Sequence, residues 1–137
     1  YKYFNDFGVP EKPFLHEALD YLKSKDYKLA VASSTSSDSV FHHLKEKNIT
    51  DYFDTVICGD MIKNSKPAPD IYLKACEELG ERAENCIAVE DSKNGILSAY
   101  RAGMNVIMIP DLWQGEEKID KLLFAKLKSL NDIKSVL

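Results

Sequence analysis

Cys86-Ile87-Ala88-Val89-Glu90-Asp91-Ser92 is an apolar run that ends in two adjacent acids. Its apolar residues are continuous rather than alternating. That is the pattern of a strand covered on both faces, as in a parallel sheet flanked by helices. Paired carboxylates at the end of such a strand put negative charge at the rim of a core. Unpaired buried carboxylates are costly, so the pair calls for a cation.

Working outward, the runs 28–32, 55–58 and 105–109 have the same continuous character as 86–89. Helical spacing fills the intervals between them. Phe14, Leu15, Ala18, Leu19 and Leu22 form one stripe. Val40, Phe41 and Leu44 form another, with Ser36, Ser37 and Asp38 as candidate N-caps. Ile71, Ala75 and Leu79 recur every four residues up to Gly80, and Ile96, Ala99 and Ala102 lead to Gly103. Glycine just beyond a helix is a stop signal. Strand and helix in alternation predict an α/β fold with right-handed crossovers. A last helix is expected over about 116–127, with 130–137 packing back on the core. At the other end, Tyr1, Tyr3, Phe4 and Phe7 precede a linker-like Gly8-Val9-Pro10-Glu11-Lys12-Pro13.

The chain has 137 residues, 45% hydrophobic and 29% charged, which suits one soluble domain with a core of its own. A formal net charge of −4 argues against an electrostatic nucleic-acid footprint. No apolar run is long enough to span a bilayer, and a cytoplasmic protein without a secretory leader is expected. Cys58, Cys76 and Cys86 lack metal-ligand spacing and read as reduced core thiols. His42 and His43 are adjacent on a helix, so they point apart and make a poor metal pair.

In open α/β sheets the working residues lie just past the carboxyl ends of the strands. Here those positions hold Ser33-Ser34-Thr35-Ser36-Ser37, then Gly59-Asp60 followed by Lys66-Pro67-Ala68-Pro69-Asp70, then Glu90-Asp91-Ser92, then Pro110-Asp111. Each has a plain structural reading: serines cap helices, a lysine is usually solvated, and acids favour a helix N-terminus. Together they are an apparatus for phosphoryl transfer by charge neutralisation. Hydroxyls and N–H groups would bind phosphate oxygens. The lysine would neutralise charge, and the acids would hold Mg²⁺ shared with a substrate phosphate. No glycine-rich loop is present, which disfavours a dinucleotide or P-loop site.

The stretches Leu29-Ala30-Val31-Ala32-Ser33-Ser34-Thr35, Lys66-Pro67-Ala68-Pro69-Asp70-Ile71-Tyr72, Val89-Glu90-Asp91-Ser92-Lys93-Asn94-Gly95 and Ala102-Gly103-Met104 resemble the haloacid dehalogenase superfamily. The similar branch is that of β-phosphoglucomutase and sugar-phosphate phosphatases. The resemblance implies a Rossmann-like three-layer αβα core with a mostly parallel sheet over 13–137. It makes Ser33 the phosphoryl-binding hydroxyl, with Ser34 and Thr35 beside it. Lys66 becomes the lysine that steadies nucleophile and phosphate. Glu90 and Asp91 become Mg²⁺ ligands, with Ser92 in support. The implied activity is Mg²⁺-dependent phosphatase chemistry on a small phosphorylated metabolite, with a phosphomutase as the alternative.

The family's Asp-x-Asp motif, which carries the nucleophile on the first and central strand, does not occur in this sequence. Asn5-Asp6-Phe7 is no substitute. By the resemblance, 1–12 is the end of a helical cap and a linker, and the core lacks its first strand and most of that cap. The expectations are therefore a chain inactive alone, and exposed inner strand edges that a missing N-terminal segment or a second chain would complete. A non-catalytic protein that kept the fold is a further alternative. A signalling receiver domain is disfavoured, because its acids come first in the chain and here they come last.

Overall fold

A computed structural model describes residues 2–4 and 14–137. In chain order the elements are β1 (Lys2–Phe4), α1 (Leu15–Ser24), β2 (Leu29–Ser33), α2 (Ser37–Glu46), β3 (Thr55–Cys58), α3 (Asp70–Leu79), β4 (Ile87–Glu90), α4 (Lys93–Arg101), β5 (Asn105–Met108), α5 (Glu117–Asp120), β6 (Ala125–Lys126) and a 3₁₀ segment (Leu130–Ser135). The strands form one sheet in the order β3-β2-β1-β4-β5-β6, and every pairing is parallel. This is the α/β fold expected from the continuous apolar runs, in the Rossmann-like arrangement that the resemblance implied.

β2 shows why those runs are continuous, since all five of its residues are buried. Ala30 and Ala32 face a layer of α3 and α4 residues that includes Ile71, Ala75, Ile96 and Ala99. Leu29 and Val31 face the opposite layer, with Leu19 and Leu22 of α1, Leu44 of α2 and Ile133 of the 3₁₀ segment. Burying a Leu or Ile side chain stabilises by about 1.5–3 kcal/mol, so both faces of each strand must be apolar. α3 ends as its sequence predicts, with Gly80 left-handed at φ 70°, a conformation that costs glycine little. The segment 130–137 packs back through buried Leu130 and Ile133.

Two expectations are corrected. The helix predicted over 116–127 stops at Asp120, and the chain then turns into β6 against β5. Phe124 N–H donates to the Val106 carbonyl at 2.7 Å, and Leu127 N–H to that of Met108 at 2.8 Å. An open strand edge offers pairing groups that outweigh the local preference of Leu122-Leu123-Phe124.

The second correction concerns the centre of the sheet. Lys2–Phe4, expected as part of a cap end, pairs between β2 and β4, with Tyr3 opposite both Ala30 and Ala88. Tyr-Phe suits a strand, and two flanking strands offer it hydrogen bonds on both sides. The rest of the predicted cap end and linker lies outside the described residues.

Candidate active site

Every sequence-predicted site residue lies at the carboxyl edge of the sheet. Ser33, the last residue of β2, is fully buried, and its Oγ accepts the Thr35 N–H at 3.2 Å. The hydroxyl therefore stiffens the loop that carries exposed Ser34 and half-buried Thr35. Gly59 closes against the same loop, its N–H donating to the Thr35 carbonyl at 2.9 Å. A Cβ at Gly59 would run into the Ser34 carbonyl, so only glycine allows that approach. Ser36 occupies the N-cap position of α2 without a side-chain cap bond. Ser37 is turned elsewhere: its Oγ donates to Asp60 Oδ1 at 2.6 Å and its N–H to Oδ2 at 3.1 Å. These bonds from Ser37 hold the Asp60 carboxyl below the usual carboxylate range.

Lys66 and Glu90 meet across the sheet. Lys66 Nζ lies 2.7 Å from Glu90 Oε2, with side chains 8% and 1% exposed. The same ammonium donates to the Ala32 carbonyl at 3.2 Å. β2 and β4 flank β1, so their ends lie about 10 Å apart at normal strand spacing. Lys66 thus spans the end of the central strand and ties its two neighbours together. The cation demanded by the acid pair is this lysine, in the case of Glu90. Glu90 Oε2 also accepts the hydroxyl of Tyr72, which sequence reasoning missed. Tyr72 looks like one more apolar position on α3, and only its hydroxyl could have given it away.

The lysine loop is held from α4. Ser98, fully buried, donates its hydroxyl to the Ala68 carbonyl at 2.7 Å. Arg101 Nη1 reaches the Pro67 carbonyl at 3.3 Å. The Lys66–Pro67 peptide bond is cis. Because α4 begins directly after Glu90-Asp91-Ser92, one helix fixes both the acids and the loop bearing the lysine. Ser98→Ala is expected to cost about 1 kcal/mol by leaving the half-buried Ala68 carbonyl without this partner. Urea unfolding measures it, and a loss of a few tenths would show the loop held without Ser98.

Asp91, half-buried, follows β4. Ser92 is the N-cap of α4, its Oγ accepting the Gly95 N–H at 3.1 Å. Gly95 is buried against Glu90, and a Cβ there would overlap the Glu90 carboxylate. Among the described residues no group of three or more His, Cys, Asp or Glu is placed to share a metal. The donors at the β4 tip are two carboxylates. Oxygen donors in that number suit Mg²⁺, which takes one or two protein carboxylates and fills its shell with water and phosphate. The structure separates their surroundings: Glu90 is bound to Lys66 and Tyr72 in the interior, and Asp91 stands at the rim. His42 Nε2 lies 2.8 Å from Glu46 Oε1 on the exposed side of α2. No helix among the described residues is long and apolar enough to cross a membrane.

Residues 2–109 match the family model of haloacid dehalogenase-like hydrolases. The chain is 37% identical over 134 residues to the phosphorylated carbohydrates phosphatase of Thermotoga maritima, covering 94% of this chain and 62% of that protein. It also resembles a solved Thermotoga maritima structure assigned as a beta-phosphoglucomutase, with TM-score 0.83 and 35% identity, over 93% of this chain and 61% of that one. The structure of CbbY from Rhodobacter sphaeroides in complex with phosphate aligns with TM-score 0.80 and 30% identity, over 89% of this chain and 55% of that one. The chain therefore spans between 55% and 62% of the length of these relatives.

Proposed function

Because the chain belongs to the haloacid dehalogenase-like hydrolases, we propose that it carries the lysine and acid part of a Mg²⁺-dependent phosphoryl-transfer site. The substrate class is a small phosphorylated metabolite such as a sugar phosphate, and the reaction is phosphate-ester hydrolysis. The nucleophile is an aspartate outside this chain, which forms an aspartyl-phosphate. The observation that carries this reading is Lys66, buried and fixed between the ends of β2 and β4 by Ala32 and Glu90.

Each residue has a role that its surroundings support. Lys66 neutralises charge on phosphate and nucleophile from a fixed position, so no reorganisation is needed as charge develops. The Ser33–Thr35 loop, held by Gly59, offers hydroxyls and N–H groups to phosphate oxygens. Asp91 with Glu90 would hold Mg²⁺, which supplies a Lewis acid on a phosphoryl oxygen. Ser92 supports them by capping α4. The names of the relatives, a phosphorylated carbohydrates phosphatase and a beta-phosphoglucomutase, support the sugar-phosphate class.

The test is binding. Inorganic phosphate is expected to bind the chain in Mg²⁺ by titration calorimetry, and Asp91→Asn to remove the dependence on Mg²⁺. Absence of phosphate binding by the folded wild type would overturn the reading. Hydrolysis of p-nitrophenyl phosphate by the chain alone, lost in Lys66→Ala, would instead place the nucleophile within it.

A further inference from the structure

Tyr72 belongs to the apolar layer by its ring and to the candidate site by its hydroxyl. It is fully buried on α3, in the cluster that holds Ile71, Ala75 and Ile96. The hydroxyl donates to Glu90 Oε2, the same oxygen that meets Lys66 Nζ at 2.7 Å. That ammonium also lies 5.1 Å from the centroid of the Tyr72 ring, within cation–π range. One side chain therefore touches both members of the buried ion pair. A position that needed only apolar volume would be met by phenylalanine, since a buried hydroxyl is costly unless bonded.

We infer that Tyr72 is a positioning residue for the phosphate site, acting through Glu90 and Lys66; the inference rests on the phosphoryl-transfer reading. Two donors on one oxygen fix the plane of the Glu90 carboxylate. The terminal torsion of a glutamate is broad, so loss of the hydroxyl loosens the Glu90 carboxylate and, with it, the Lys66 ammonium bound to the same oxygen. The ammonium then loses its fixed position between the ends of β2 and β4, where an anion would sit.

Tyr72→Phe removes the hydroxyl and keeps the ring, so the core volume and the cation–π contact remain. Inorganic phosphate in Mg²⁺, titrated calorimetrically well below the unfolding midpoint, is expected to bind Tyr72→Phe about tenfold more weakly, as for loss of a hydrogen bond to a charged group. A merely structural role would lower the unfolding midpoint without changing this affinity. A second readout is the Tyr72 hydroxyl proton in the downfield ¹H NMR spectrum, identified by its absence from Tyr72→Phe. In the wild type it is expected to shift as Mg²⁺ and phosphate are added. Equal affinities of the two proteins, with wild-type binding intact, overturn the role of Tyr72 and leave the phosphoryl-transfer reading standing. A wild type that binds no phosphate overturns that reading and this inference with it. Should Tyr72→Phe not fold, the wild-type proton titration, assigned through the labelled tyrosine, decides: an unmoved resonance overturns the inference.

Discussion

Lys66→Met is expected to lower the unfolding free energy by about 3–5 kcal/mol, the cost of leaving one member of a buried ion pair alone. Glu90 is 1% exposed at its side chain and cannot exchange its lost cation for water without opening the layer between β4 and α3. Tyr72 remains as a donor, but a neutral hydroxyl does not balance a carboxylate. The double variant Lys66→Met/Glu90→Gln removes both charges and is expected to recover much of the loss, because a pair replaced as a unit is often neutral. Denaturant unfolding of the wild type, the two single variants and the double variant gives the coupling directly. A coupling energy near zero would show that Glu90 is balanced by something other than Lys66.

Gly95→Ala is expected to reverse the usual sign of a glycine-to-alanine change in a helix. At an ordinary helical position alanine is favoured by about 1 kcal/mol. Here the new methyl would enter the space of the Glu90 carboxylate. That carboxylate is an end group, but Lys66 and Tyr72 hold it, so it cannot swing aside without breaking both contacts. Overpacking of this kind costs about 1–3 kcal/mol, and the release of Lys66 adds to it. Loss of stability, together with weaker phosphate binding, is the expected result. A stabilised Gly95→Ala protein would mean that the carboxylate moves at no cost.

The layers of the fold were legible because each strand is apolar on both faces, as Leu29-Ala30-Val31-Ala32 shows. Gly80 and Gly103 marked helix ends for the same local reason. β6 was not legible, because the pairing that makes it a strand comes from Val106 and Met108 and not from residues 122–127 themselves. Lys2–Phe4 is a similar case: three residues carry too little pattern to announce a central strand. At the candidate site, strand ends and the order of hydroxyl, lysine and acids were enough to put Ser33, Lys66, Glu90 and Asp91 at one edge of the sheet, where the structure has them. The acid pair pointed to a cation but not to which one. Tyr72, Ser98 and Gly95 stayed silent because each passes as an ordinary helical residue. Their roles depend on contacts with Glu90 and Ala68, which a one-dimensional pattern does not carry.

Cys58, Cys76 and Cys86 are all buried, but not on the same side of the sheet. Cys58 belongs with the α1 and α2 layer, whereas Cys76 and Cys86 belong with α3 and α4. Burial, above all, pushes the Cys58 thiol up from its usual range, so modification there needs both exposure and loss of a proton. Each face thus carries its own built-in clock. The rate at which a thiol reagent reaches Cys58 reports the opening of one helical layer, and the rate at Cys76 and Cys86 reports the other. Separate rates would mean that the lysine loop, on the α3 and α4 side, can loosen while the serine loop stays closed.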